Sequence, residues 1–166
     1  MWIKSKILLI LDQGILKKKQ IINKLDKFLS MKIRNVVIFF IALFMGMGVN
    51  MGMLFVGNWL IPLPEGVNTS SREALKAALP LLRLQDFIFP FLAHAMGTFT
   101  SAFVVTAWAS DKQLRYSLIY GGLFFLGGLA TIVGMPSPVW FSILDLTLAY
   151  FPMAWIGHKM ATKFSN

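Results

Sequence analysis

The chain has no cysteine, which excludes a disulfide framework, a thiolate metal site and a cysteine nucleophile. Charge is scarce as well: 14 % of residues are charged while 57 % are hydrophobic. A soluble domain of 166 residues needs far more polar surface than that to cover itself. With only seven acidic residues and two histidines, no His/Glu cluster has metal-ligand spacing. Gly-x-Ser-x-Gly, the P-loop and the dinucleotide fingerprint are all missing, and the glycine pairs sit inside apolar runs where phosphate chemistry has no place. The two halves show no clear inverted repeat, which weighs against a secondary transporter.

What the sequence does have is long apolar runs. A hydrocarbon core of roughly 30 Å takes about 20 residues of helix to cross. Four stretches reach that length, at about 36–61, 87–109, 116–135 and 139–157. The expected fold is therefore all-α: an integral membrane four-helix bundle spanning residues 34–166. Pro62 and Pro64 end the first span, and its 26 residues reach roughly 39 Å, enough to tilt or protrude. Between it and the second span, Ser70-Ser71-Arg72-Glu73 fits a capping box with Ser70 as N-cap. A short surface helix over 74–82 follows, interrupted by Pro80. A turn over 110–115 joins the second and third spans, and Pro136-Ser137-Pro138 joins the third and fourth.

Charge sets the orientation. The net charge is +9, and residues 1–34 supply +7 of it, with nine Lys/Arg against Asp12 and Asp26. Placing the N-terminus inside puts Lys32, Arg34, Lys112, Arg115, Lys159 and Lys163 on the cytoplasmic side. The outer side then has three bases in the long loop and none in the Pro-Ser-Pro turn, which satisfies the positive-inside bias. Both termini are thus expected in the cytoplasm, with Trp59 and Trp140 at the outer interface and Trp108 and Trp155 at the inner one. No aromatic-basic platform or groove-reading motif accompanies the charge, so nucleic acid is not an expected partner.

Residues 1–33 form a basic segment in which Ile21, Ile22, Leu25, Phe28 and Leu29 share one helical face, with Lys17, Lys18, Lys19, Lys24 and Lys27 mostly opposite. Two readings stand: an interfacial helix on the anionic inner leaflet, or a stretch upstream of a start at Met31, where Met31-Lys32-Ile33-Arg34 leads into an apolar run. It does not read as a cleavable signal peptide.

Lipid cannot drive helices together hydrophobically, so small residues and interhelical hydrogen bonds must do so. Gly46, Gly48, Gly52 and Gly57 in the first span, Gly121, Gly122, Gly127 and Gly128 in the third, and the Ala93-Gly97-Ser101 ridge of the second are the candidate seams. Four short helices enclose little volume, so these seams also suggest a homo-oligomer or a partner membrane protein. The informative polar residue is Asp145, because a carboxylate inside a span costs about 2.5–3.5 kcal/mol on insertion scales and needs a partner. His94 and Asp145 both fall roughly 10 Å below the outer boundary, on parallel spans, so they can pair. Asn50, Thr98, Ser101 and Ser142 complete the candidate site, with Ser142, Asp145, Ala149 and Pro152 on one face of the fourth helix. Pro152 frees the carbonyl of Leu148. Either these residues staple the bundle or they line a polar pocket or proton site. Few nucleophiles and no oxyanion donors accompany Asp145, so an enzyme is the weaker reading, and no cofactor is expected.

The run from Phe87 through His94 to Thr98, with 135–146 and 150–158, resembles small four-span membrane proteins of unknown function from bacteria, especially Bacteroidetes-type ones. The resemblance covers roughly Met31 onward and implies this topology and a bacterial inner-membrane location. The function expected is a non-enzymatic membrane component that binds a small polar ligand or a partner protein, the alternative being proton- or ion-linked transport through Asp145 and His94.

Overall fold

The computed structural model describes the backbone of residues 2–109 and 113–164, and side chains from residue 13 onward apart from 110–113 and the last two. Six α-helices occur in it: α1 (Trp2–Leu60), α2 (Arg72–Ala78), α3 (Ile88–Trp108), α4 (Gln113–Gly134), α5 (Val139–Leu148) and α6 (Phe151–Phe164). Short 3₁₀ turns at Leu79–Leu81 and Leu84–Phe87 link α2 to α3. Among the described residues there is no strand. Four helical stretches are long and apolar enough to cross a membrane: Gln13–Leu60, Leu84–Trp108, Leu114–Gly134 and Val139–Phe164.

The chain divides into two compact units, residues 1–37 and 38–166. In the first, the described part of α1 is exposed except at the half-buried Asn35: Ile15, Ile21, Leu25 and Leu29 all face outward. Its Lys32 ammonium lies 4.4 Å from the Phe28 ring centre, and Ser30 Oγ donates to the Lys27 carbonyl at 2.9 Å.

The second unit holds the rest of the fold. Here α3 packs along both α4 and α6, and α4 along α6. Small and polar residues are prominent in the interior: Ala42, Ala93, Ala102, Ala149, Ala154, Thr98, Ser101, Thr106, Ser117 and Asp145 are buried, together with a few larger ones such as Ile38, Val105, Tyr120, Phe141 and Tyr150. Large apolar side chains such as Phe44, Phe55, Leu126, Val133 and Ile143 point outward. Proline begins three helices: Pro138 caps α5, Pro90 lies in the first turn of α3 and Pro152 in that of α6, where an amide has no intrahelical partner to lose.

Only some of the glycine seams are filled. A methyl group on Gly46 would strike Ser101 Oγ and the Gly97 carbonyl, and one on Gly57 would strike Phe89. These mark the close approach of α1 to α3. Gly121 meets Ala154 and Phe151, and Gly157 meets the Phe99 carbonyl. Gly48, Gly52, Gly122 and Gly127 have nothing within 4 Å of where a Cβ would stand. A helix has one face toward each neighbour, so residues two apart in a glycine run cannot share it.

Several local expectations shift. The cap of α2 is Ser71, not Ser70: Ser71 Oγ accepts from the Ala74 amide at 3.1 Å, while Ser70 N donates to Asn68 Oδ1 at 2.8 Å. With Ser71 outside the helix its side chain reaches the third helical amide; the N-cap thus moves by one residue, and with Ala74 at that third position no reciprocal capping box forms. Pro80 ends α2 at Ala78, and the remaining turn tightens to 3₁₀. Arg83 pairs with Asp86 at 2.7 Å and donates to the Pro62 carbonyl at 3.0 Å, tying the ends of the long loop together. That hydrogen bond to Asp86 raises the Arg83 guanidinium pKa above its ordinary value. In the turn expected at 110–115, residues 110–112 lie outside the described residues, and Arg115 belongs to the first turn of α4.

The fourth apolar stretch is not one helix. It breaks at Ala149–Tyr150 and restarts at Phe151, because Pro152 offers no amide to the Leu148 carbonyl. Ala149 N closes α5 on the Asp145 carbonyl at 3.0 Å, and Ala154 N opens α6 on that of Tyr150 at 2.8 Å. The stretch also runs on to Phe164 rather than stopping at 157, with Lys163 in the last turn, where a cation favours the helix C-terminus.

Candidate functional site

His94 from α3 and Asp145 from α5 meet inside the bundle. Nδ1 of His94 lies 2.8 Å from Oδ2 and 3.0 Å from Oδ1 of Asp145. Asp145 is 2 % exposed, so its carboxylate depends wholly on protein donors. The second donor is Tyr150, in the break between α5 and α6: its hydroxyl donates to Asp145 Oδ2 at 2.8 Å and lies 3.0 Å from His94 Nδ1.

Proton counting fixes the roles. Tyr150 has one hydroxyl proton and gives it to the carboxylate, so it can only accept from the imidazole. Asp145, as a carboxylate, only accepts. The Nδ1 proton is therefore on His94, shared between carboxylate and phenol oxygen; in the neutral tautomer Nε2 then carries a lone pair, and in the imidazolium a second proton. Nε2 has no hydrogen-bond partner among the described residues, yet no buried side-chain N or O lacks one. Nε2 is thus accessible, in a side chain that is 20 % exposed.

His94 lines a cavity of about 340 Å³ bordered by α1, α3 and α4, together with Asn50, Met47, Met51, Phe124 and Thr131. Two glycines of α4 shape the arrangement. A methyl group on Gly128 would collide with the Tyr150 hydroxyl, so the glycine makes the hole that the phenol fills. Gly127 faces the cavity and would meet nothing. Tyr150 is held edge-on by Phe125 at 5.9 Å and is fully buried.

The other candidate residues separate. Asn50 lines the cavity but makes no hydrogen bond to the pair. Thr98 Oγ1 donates to the carbonyl of His94 at 2.8 Å, inside its own helix. Ser101 Oγ crosses to the Ala42 carbonyl at 2.8 Å, joining α3 to α1. Ser142 is not part of the site: its hydroxyl bonds Ser137 Oγ at 2.8 Å and the Pro138 carbonyl at 3.3 Å, which closes the Pro-Ser-Pro connection. The first turn of α5 needs acceptors and donors of its own, and Ser142 serves there.

A second polar cluster lies farther along the bundle. Thr106 Oγ1 is 2.7 Å from Ser117 Oγ and 3.2 Å from His158 Nδ1, linking α3, α4 and α6. Nearby, Tyr120 donates its hydroxyl to the Phe39 carbonyl.

Tyr150 and Gly128 are the members of the site that sequence reading passed over. Tyr150 stands five residues after Asp145, which in an unbroken helix points it some 140° away; the break brings it back. Pro152 was the signal for that. Among the described residues, no group of three His, Asp or Glu side chains can hold a metal ion. A carboxylate-oriented imidazole is the base half of an acyl-transfer site, but the one hydroxyl on the cavity wall, Thr131, is spent on the Gly127 carbonyl at 3.0 Å. Comparison with family models, with curated proteins and with solved structures finds no match for the chain.

Proposed function

We propose that the chain is a four-span protein of a bacterial inner membrane, with both termini cytoplasmic, that binds a small ligand in the cavity beside His94 and is not an enzyme. The observation that carries the binding part is the free, accessible Nε2 in a network whose other polar atoms are all bonded. The bilayer part rests on the inverted packing, with small and polar residues inside and large apolar ones outside, the arrangement that lipid tolerates and water does not. Trp59, Trp108, Trp140 and Trp155 are all largely exposed, as interfacial anchors are.

The test is a thermal-shift screen of small amphipathic compounds on the full chain in nanodiscs. Compounds acting through the cavity raise the melting temperature of wild type and lose that effect in Gly127→Leu, whose Cβ has open space and whose side chain takes up room in the cavity. Shifts that survive the substitution place the ligand elsewhere and remove the reading.

Proton-linked transport is the second reading, favoured by one observation. Polar side chains recur along α3 between the two networks: His94, Thr98 and Ser101 share one side of the helix, and Thr106, about 140° farther round, joins the His158 cluster. It requires Asp145→Asn to abolish transport in proteoliposomes while the protein remains folded at normal levels.

A further inference from the structure

The cavity beside His94 also narrows the class of ligand, an inference that rests on the binding reading above. Its walls are apolar, with Leu43, Met47, Met51, Leu123 and Phe124 contributing. The polar groups on its wall that the protein leaves uncommitted are the His94 Nε2 edge and the Asn50 amide. Because Asp145 and Tyr150 hold the Nδ1 proton in place, what a neutral His94 offers is an acceptor. An acceptor in apolar surroundings calls for a donor, since a buried polar group without a partner costs ~1–3 kcal/mol. A cationic donor would bring its own desolvation cost into walls with no direct counter-charge, whereas a hydroxyl brings little. Asn50 stands close by: a Cβ on Gly97 would lie 3.1 Å from that of Asn50, and Gly97 is ~4.5 Å along α3 from His94 at 1.5 Å per residue. A second oxygen of the same molecule can therefore take the amide.

We infer that the cavity binds a lipophilic molecule bearing a hydroxyl group, which donates its proton to His94 Nε2 while the apolar body lies against Met47, Met51 and Phe124. Two kinds of membrane-borne molecule present that chemistry: an aromatic diol of the reduced-quinone type, and a long-chain alcohol.

The experiment compares four probes on the wild-type full chain in phosphatidylcholine nanodiscs: a decyl benzoquinol, its dimethyl ether, 1-decanol, and decyl methyl ether. Methylation removes the donor and keeps the body. At least one hydroxyl probe binds roughly tenfold more tightly than its ether, equal to about 1.4 kcal/mol, and Gly127→Leu weakens both members of that pair. A gap in the benzoquinol pair alone identifies the diol as the source, and a gap in the decanol pair alone identifies the alcohol. The hydroxyl inference is overturned if ether and hydroxyl bind equally. If those equal affinities also fall in Gly127→Leu, the cavity remains a binding site and only the ligand class is wrong. Binding that ignores Gly127→Leu overturns the cavity reading itself. No binding by any probe overturns the hydroxyl inference and leaves the cavity to the broader screen.

Discussion

At the scale of single residues, the His94–Asp145–Tyr150 network makes sharp demands. Tyr150→Phe removes one of the donors to a buried carboxylate and leaves its shape unchanged. The expected loss is about 1–3 kcal/mol of stability, read as a lower melting temperature in nanodiscs. Gly128→Ala pushes a methyl group into the phenol oxygen and should cost a similar ~1–3 kcal/mol through overpacking, although alanine is the better helix former. An unchanged melting temperature would mean that the phenol does not sit in that hole. For His94→Ala and Asp145→Asn, the double variant should fall short of the sum of the singles by ~0.5–3 kcal/mol, because the two side chains share one hydrogen bond. Of this network, the pairing of His94 with Asp145 was legible from depth in two parallel spans. Tyr150 was not, since an aromatic in an apolar run reads as packing and its direction depends on where the helix breaks. Ser142 was legible as a polar residue on the right face, but periodicity cannot tell that the preceding Pro-Ser-Pro turn claims its hydroxyl.

At the scale of elements, the four apolar helical stretches and the buried ridge Ala93-Gly97-Ser101 were visible in the sequence, because hydropathy and four-residue spacing carry them. Which glycines form seams was not, because the direction each helix turns toward its neighbours is a property of the assembled bundle. The structure divides the first span's glycines into those that touch and those that do not, and this difference is measurable. Gly46→Ala should destabilise by about 1–3 kcal/mol, since Ser101 and the Gly97 carbonyl occupy the space. Gly48→Ala meets nothing and should be neutral or stabilising by up to ~1 kcal/mol from helix propensity. Equal losses at both positions would place a further helix, from a second copy or another protein, against Gly48.

At the scale of the whole molecule, the absence of cysteine is an experimental convenience, because single cysteines report topology on a silent background. On the proposed orientation, with both termini cytoplasmic, Glu65→Cys in the long loop should react with an impermeant maleimide on intact spheroplasts. Lys163→Cys should react only after permeabilisation. The reverse pattern would invert the orientation while keeping four spans. The overall arrangement was legible because the interior is poorer in large apolar residues than the surface, and composition registers that excess of greasy exterior directly. The cavity was not legible, since it is a gap left where Gly127 and Gly128 of α4 face His94 and Asn50, and a sequence records residues rather than the spaces between them.

The interruption at Ala149–Tyr150 has a mechanical side. Asp145 lies before it and Tyr150 just after it, so their 2.8 Å hydrogen bond acts as a tie-rod across a joint. The backbone ladder loses a rung there, and this side-chain bond spans the gap, with His94 of α3 on the same carboxylate. Whatever shifts that carboxylate is therefore felt at once by a neighbouring helix and by the far side of the joint.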